Sequence, residues 1–273
     1  MAINFAEKYA SIVDERFTQA SLTQNAFNSD LDFTGVNVVN VYSIPTAPMN
    51  DYTMSGTGRY GTPQELGDTV QTFQLTQDRS FTFTIDRRNY EDTMLVKDAG
   101  RALARQLDEV VIPEVDTYRI AALAAGAGTT STPTAISQAN AYENFLIGVG
   151  TLKDNKAPLA GTFAYISNNF FRYIRLDPSF IQASDVAQNM LVTGQVGMIE
   201  NIPLIYVPTS YMPTGTEFLI TNRIAAWAAQ KIADYKIHEN PPGINGNLVE
   251  GRLYHDCGIF DNKKKAIYAH ISA

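Results

Sequence analysis

Residues 92–125 constrain the rest of the chain most, because they read as one long helix with Pro113 near its middle. At helical spacing Val96, Ala99, Leu103, Leu107, Val110 and Val111 line one apolar stripe, with Lys97, Asp98, Arg101, Arg105, Asp108 and Glu109 opposite. A surface helix lying on a core is expected. Carried straight through Pro113, that stripe would have Glu114 at its centre, whereas Val115, Tyr118 and Ala122 define a stripe rotated by roughly 70°. Pro113 removes one backbone hydrogen bond and sets its ring against the Glu109 carbonyl. Good helix formers resume at once, so a kink rather than a stop is expected. At ~1.5 Å per residue the segment spans about 50 Å, close to the roughly 48 Å width of a compact globule of this length. Such a helix suggests an elongated or plate-like subunit.

The 273 residues are 45% hydrophobic, enough for one large core or two smaller ones. No apolar run approaches the roughly 20 residues that cross a bilayer, and Glu7 and Lys8 stand where a secretory signal needs an apolar block. An intracellular protein is expected. Cys257 is the single cysteine, which excludes an intrachain disulfide framework and a cysteine-based zinc site. A net charge of −7 opposes a surface that grips nucleic acid through clustered Lys and Arg.

Upstream of the helix, Phe5, Tyr9, Ile12, Val13 and Phe17 fall on one helical face and suggest an N-terminal arm, either packed on its own domain or docked on a neighbouring chain. Residues 36–44 alternate as a strand, with a phase slip at Val38-Val39 that suggests a bulge. A second strand region puts Phe73, Leu75, Phe81, Phe83 and Ile85 on one face. Between them, residues 45–70 hold three prolines and four glycines with few aliphatic residues. Compact domains rarely carry so long a loop without a purpose. Met49, Tyr52, Met54 and Tyr60 make it adhesive, so it is expected to project and meet a partner. Within it, residues 56–61 are formally GxGxxG, but a nucleotide site needs a strand before those glycines and a substantial helix after them. Thr62, Pro63 and Glu65 start a helical turn that Gly67 ends.

Downstream, residues 126–134 form a Gly/Thr/Ser-rich break, and a helix is expected over 139–152 with Tyr142, Phe145, Leu146 and Val149 at core spacing. A buried strand over 161–167, a short helix over 169–175, a strand–turn–strand over 197–208 and a strand over 218–221 follow. A short helix is expected over 223–233, extended chain over 234–240, and a final hairpin of 251–260 and 266–271 with a basic tip at Lys263, Lys264 and Lys265.

Catalytic chemistry finds little support. His255, Asp256 and Cys257 cluster a base, an acid and a nucleophile, but on a strand Asp256 points away from the other two. A buried Cys257 and a half-exposed His255 are the simpler expectation. His238 and His270 lack metal-ligand spacing, and Asp108, Glu109, Glu114 and Asp116 are expected to face solvent or pair with Arg105 and Arg119. Trp227 is expected in the core. Neither a cofactor nor a metal is expected.

The order of arm, projecting hairpin, the run Gln77-Asp78-Arg79-Ser80-Phe81-Thr82-Phe83-Thr84-Ile85-Asp86 and long kinked helix resembles the major capsid proteins of tailed double-stranded DNA bacteriophages. The resemblance implies an α+β fold of the Hong Kong type, also called the Johnson fold. Its parts would be an N-terminal arm (1–34), an extended loop hairpin (35–72), a peripheral domain (73–150) with the spine helix 92–125, an axial domain (151–230) and a return (231–273) to the peripheral domain. It implies a structural, non-enzymatic subunit that assembles into pentamers and hexamers of an icosahedral head enclosing double-stranded DNA without sequence-specific binding. It places the protein in the virion, made in the host bacterial cytoplasm, with scaffolding, portal and decoration proteins as partners. Phe5, Tyr9, Met49, Tyr52, Met54, Arg59 and Tyr60 become the inter-subunit contact candidates. Residues 45–70 contain no Lys, so the lysine cross-link of some relatives is not expected from that loop. The arm begins within a few residues of Met1, so either a separate scaffolding protein serves or none is needed. Two other readings remain: an encapsulin-type compartment shell, which shares the fold, and a soluble hydrolase using Cys257 and His255.

Overall fold

The computed structural model describes residues 21–31, 33, 36, 38–63, 65–92, 99–177 and 197–272. The described residues of the long helical segment are helical. Helix α1 spans Arg87–Asp92 and α2 spans Ala99–Gln106. A π turn, Leu107–Val111, runs directly into α3, Ile112–Ala125. Val96, Lys97 and Asp98 lie outside the described residues.

The expected register break at Pro113 takes the form of this π turn, in which the Ile112 amide reaches back five residues to the Leu107 carbonyl. A wider turn accommodates an extra residue and so rotates everything beyond it by about 100°. The buried face of α3 is therefore Asp116, Ile120 and Leu123 rather than the expected Val115, Tyr118 and Ala122. Within the π turn the expected stripe is shallower than its pattern implies, since Val110 is 45% exposed.

The described residues form three sheets. The first is the hairpin of β1 (Val38–Ser43) and β2 (Thr69–Gln74). Its register runs without interruption from Val38↔Gln74 to Ser43↔Thr69, so the bulge expected at Val38-Val39 is absent. The second sheet has the order β3–β10–β9, with β3 Gln77–Asp86, β9 Ala226–Glu239 and β10 Gly246–Ile259. The aromatic alternation of residues 73–85 is thus shared between two sheets. Phe73 and Leu75 pack with Trp227, whereas Ile85 packs with Ala99 and Val249. The chain breaks at Thr76, whose amide and hydroxyl both donate to Asp256 Oδ2 at 2.8 Å.

The third sheet has the order β4–β11–β8–β5–β7–β6: Thr129–Thr130, Ile267–Ile271, Thr216–Asn222, Thr162–Ile166, Ile202–Tyr206 and Met198–Ile199. Helix α4 (Ala141–Asp154) covers one face, packing Phe145, Val149 and Leu152 against Ala164, Phe218, Ile220 and Tyr268. It lies close because residue 148 is glycine: a Cβ there would sit 2.9 Å from the Tyr268 ring. Helix α5 (Asn168–Leu176) begins where the Ser167 hydroxyl accepts from the Phe170 amide at 3.1 Å, an N-cap. The other face of the sheet meets α3, with Ile120 and Leu123 against Tyr165, Leu219, Ile267 and Ala269. Glu200 and Asn201, both left-handed at φ 51° and 64°, make the two-residue turn between β6 and β7.

Two expectations from the second half do not hold. Residues 223–233 are not a helix: 223–225 form a turn and 226–233 begin β9, because thirteen rungs of pairing to β10 and the packing of Trp227 outweigh the helical preference of an alanine-rich stretch. Nor do 251–260 and 266–271 pair as a hairpin. Four of the five β11 residues are buried, and the strand lies between β4 and β8, so it is central to its sheet. The lysine-rich segment carries the chain from one sheet to the other, through a 3-10 turn at Lys264–Ala266.

Candidate assembly surface

The projecting loop leaves the body from β1 and β2 and presents apolar side chains to solvent. Met49 is 98% exposed, Met54 89%, Tyr60 85% and Tyr52 54%. Tyr42, Ile44, Leu66 and Val70, not singled out from sequence, are exposed with them. The same signal that marks Met49, apolar residues in a stretch without core periodicity, could have found Leu66 and Val70, whereas Tyr42 and Ile44 stand in the alternating stretch 36–44 and give no such sign. A run of uncovered apolar side chains on one loop marks an interaction site.

The loop has local order. The Thr53 amide donates to the Arg59 carbonyl at 3.0 Å, the Gly61 amide donates to the Gly58 carbonyl at 3.0 Å, and the Tyr52 and Tyr60 rings meet edge to face at 5.1 Å. Gly56 and Gly61 take φ of 92° and 88°, the left-handed region where glycine is favoured. At Gly61 a Cβ would also meet the Asn50 side chain at 2.6 Å. The glycines of the GxGxxG pattern therefore serve this turn. The described residues Thr62, Pro63 and Glu65 are not helical, and Arg59 Nε folds back to the Gly56 carbonyl at 3.2 Å. None of the described residues after Gly61 in this loop supplies the helix N-terminus that would cradle a phosphate. Phe5 and Tyr9 lie outside the described residues.

The residues considered for chemistry are engaged otherwise. Asp256 accepts from the Tyr118 hydroxyl at 2.7 Å and from both Thr76 donors, so its carboxylate is occupied away from His255. Cys257 is buried, and that burial pushes its thiol up to about 12, which removes the thiolate a nucleophile needs. His255 is buried rather than half-exposed; burial holds its pKa below the ordinary histidine value. A cleft beside it is lined by Gln77, Arg79, Glu114, Tyr118, Ser210 and Tyr211, with Arg79 and Glu114 paired at 2.5 Å. Glu109 pairs with Arg105 at 2.9 Å, as the helical spacing implies. Asp116 departs from expectation. It is buried and accepts from the Ser21 hydroxyl, the Leu22 amide and the Thr23 hydroxyl at 2.8, 2.8 and 2.6 Å, fastening the segment before the first strand to α3. Trp227 is in the core as expected. Among the described residues no group of three or more His, Cys, Asp or Glu is placed to hold a metal, and no helix is long and apolar enough to cross a membrane.

This arrangement, a spine helix against a sheet, a long projecting hairpin and a second helix-backed sheet, is the Hong Kong-type fold of phage capsid structures. A structure from Mycobacterium phage Che8 matches with a TM-score of 0.78 at 15% identity, over 98% of this chain and 97% of the other. The capsid structure of cyanophage P-SCSP1u matches with a TM-score of 0.78 at 12% identity, over 98% and 93%. The asymmetric unit of the bacteriophage PhiM1 mature capsid matches with 0.74 at 11% identity, over 98% and 92%. No family model and no curated protein matches the sequence. At these identities the likeness carries the fold alone.

Proposed function

We propose that the protein is a non-enzymatic shell subunit, the major capsid protein of a tailed phage, which assembles with copies of itself into the pentamers and hexamers of an icosahedral head around double-stranded DNA. The observation that carries this reading is the projecting loop. Met49, Met54 and Tyr60 are almost wholly uncovered by their own chain, and the fold in which they sit is shared end to end with structures of phage capsids. Met49, Tyr52, Met54, Arg59 and Tyr60 are the contacts of the loop with a neighbouring copy; Phe5 and Tyr9 are the contacts of the arm. The parts expected from sequence, arm 1–34, loop 35–72, peripheral 73–150, axial 151–230 and return 231–273, are the divisions we assign to the subunit. It is made in the bacterial cytoplasm and works in the virion, with scaffolding, portal and decoration proteins as its other partners.

Electron microscopy of the purified protein, at high concentration and with a co-expressed scaffold, tests the reading. Rings or closed shells are expected; a persistent monomer under every condition overturns it. Deleting residues 49–66 abolishes assembly while the body still melts cooperatively. Normal shells from that deletion would remove the loop from the mechanism.

A further inference from the structure

We infer that the turn at residues 259–262 is a buttress that sets the direction in which the projecting loop leaves the subunit, with Gln71 as the positioning residue that closes the grip. The geometry lies within one chain; only its consequence for assembly rests on the shell-subunit reading.

A two-stranded hairpin is marginal in water unless something holds it. Here packing holds the inner half: Val39, Val41 and Phe73 lie in the cluster around Trp227, with Phe73 4.9 Å from the Trp227 ring and 5.5 Å from Phe260. The outer half, with Tyr42 and Val70, stands exposed. Gln71 sits where the two halves meet and shares the inward face with Phe73. Its Nε2 donates to the Ile259 carbonyl at 2.9 Å, and its Oε1 accepts from the Asp261 amide at 3.0 Å. One side chain thus answers a carbonyl and an amide of the same turn. On the partner strand, the Ser43 hydroxyl accepts from the Asn262 side-chain Nδ2, so both strands of the hairpin are tied to this turn. The turn itself is stiffened: the Phe260 amide donates to the Ala225 carbonyl and the Lys263 amide to the Phe260 carbonyl, both at 2.9 Å.

The two kinds of contact do different work. Apolar packing fixes where the hairpin is rooted but is non-directional. Hydrogen bonds are angular, weakening steeply as they bend. Loss of the Gln71 pair should free the hairpin to swing about its packed root without unfolding it. The segment that sequence alone suggests as a solvated basic hairpin tip is, on this view, the stop against which the loop rests.

The test is on the monomer. Nitroxide labels at Thr57→Cys on the loop and Glu143→Cys on α4 report the loop direction; buried Cys257, its thiol pushed up to about 12, does not compete for label. Gln71→Leu is expected to widen the distance distribution about twofold and to speed exchange of the Asp261 amide about tenfold, with the melting temperature lowered by no more than about 3 °C. Gln71→Glu, which keeps the acceptor and loses the donor, widens it less. Thr72→Val removes only a bond within the hairpin, from the Thr72 hydroxyl to Asn40, and leaves the distribution narrow. A Gln71→Leu distribution as narrow as that of the parent protein, or equal widening by Thr72→Val, overturns the buttress. In assembly, the swinging variant gives shells of mixed diameter; uniform shells from it break the link between loop direction and shell geometry while leaving the buttress intact.

Discussion

Asp116→Ala is the most informative single change to the body of the protein. The carboxylate is buried and accepts three hydrogen bonds from Ser21, Leu22 and Thr23. One turn along α3, Arg119 is largely buried. It donates to the Thr23 hydroxyl at 3.2 Å, lies 5.6 Å from the Phe27 ring, and is held below its ordinary pKa by burial, with the Asp116 charge opposing that shift. Removing the carboxylate strands the donors and leaves a buried cation without its counter-charge. Stranding these three donors, at about 1–3 kcal/mol for each buried one and less for the exposed ones, costs about 3–5 kcal/mol. At about 2–4 °C per kcal/mol for a domain of this size, the melting temperature should fall by about 6–20 °C. Differential scanning calorimetry measures it, and limited proteolysis should show residues 21–28 becoming cleavable below the melting transition. Asp116→Asn keeps the volume and one acceptor oxygen and should fall between. A drop smaller than about 2 °C for Asp116→Ala would show that this network does not hold the segment to α3.

Two further outcomes follow from buried groups. Burial holds the pKa values of His255 and His270 below 6.5, so the unfolded chain takes up protons first as pH falls. Stability is therefore full above about pH 6.5 and declines as pH drops through that value, by up to about 1.4 kcal/mol per pH unit for each histidine. Both ring nitrogens of His270 are buried without a partner beside Phe218, so His270→Phe should be neutral or stabilising at pH 7 and flatten the acid limb. Urea melts at pH 7 and 5 check this, and an unchanged acid limb refutes it. Trp227→Ala should cost about 3–5 kcal/mol, because its ring packs against both Phe33 and Phe73 at the hairpin root. A loss below about 1 kcal/mol would place the root's stability elsewhere.

Much of the helical half was legible because an amphipathic period reports burial directly. Helix α4 carries Phe145 and Val149 inward as its spacing implies, and the strand–turn–strand expected over 197–208 stands with its turn at Glu200-Asn201. The loop was legible for a converse reason: residues 45–70 have no period that could bury Met49 or Tyr60, and both are exposed. Asp116 was not legible, since a carboxylate on a helix gives no sign of the donors that arrive from Ser21–Thr23. Gln71 was hidden likewise, because the turn it grips lies 188 residues away in the chain.

The sequence by itself determined which stretches are amphipathic, where Pro113 interrupts the spine, and that one loop has nothing of its own to cover it. Those are local properties, written in the spacing of apolar side chains and in the backbone limits of proline and glycine. Only the tertiary structure decided that residues 226–233 extend rather than coil, that β11 inserts between β4 and β8 instead of folding back on β10, and which face of α3 turns inward. Each of these depends on a partner distant in sequence. A strand's pairing is set by what fills its two faces and edges, and a helix's buried face beyond a π turn by the surface that receives it.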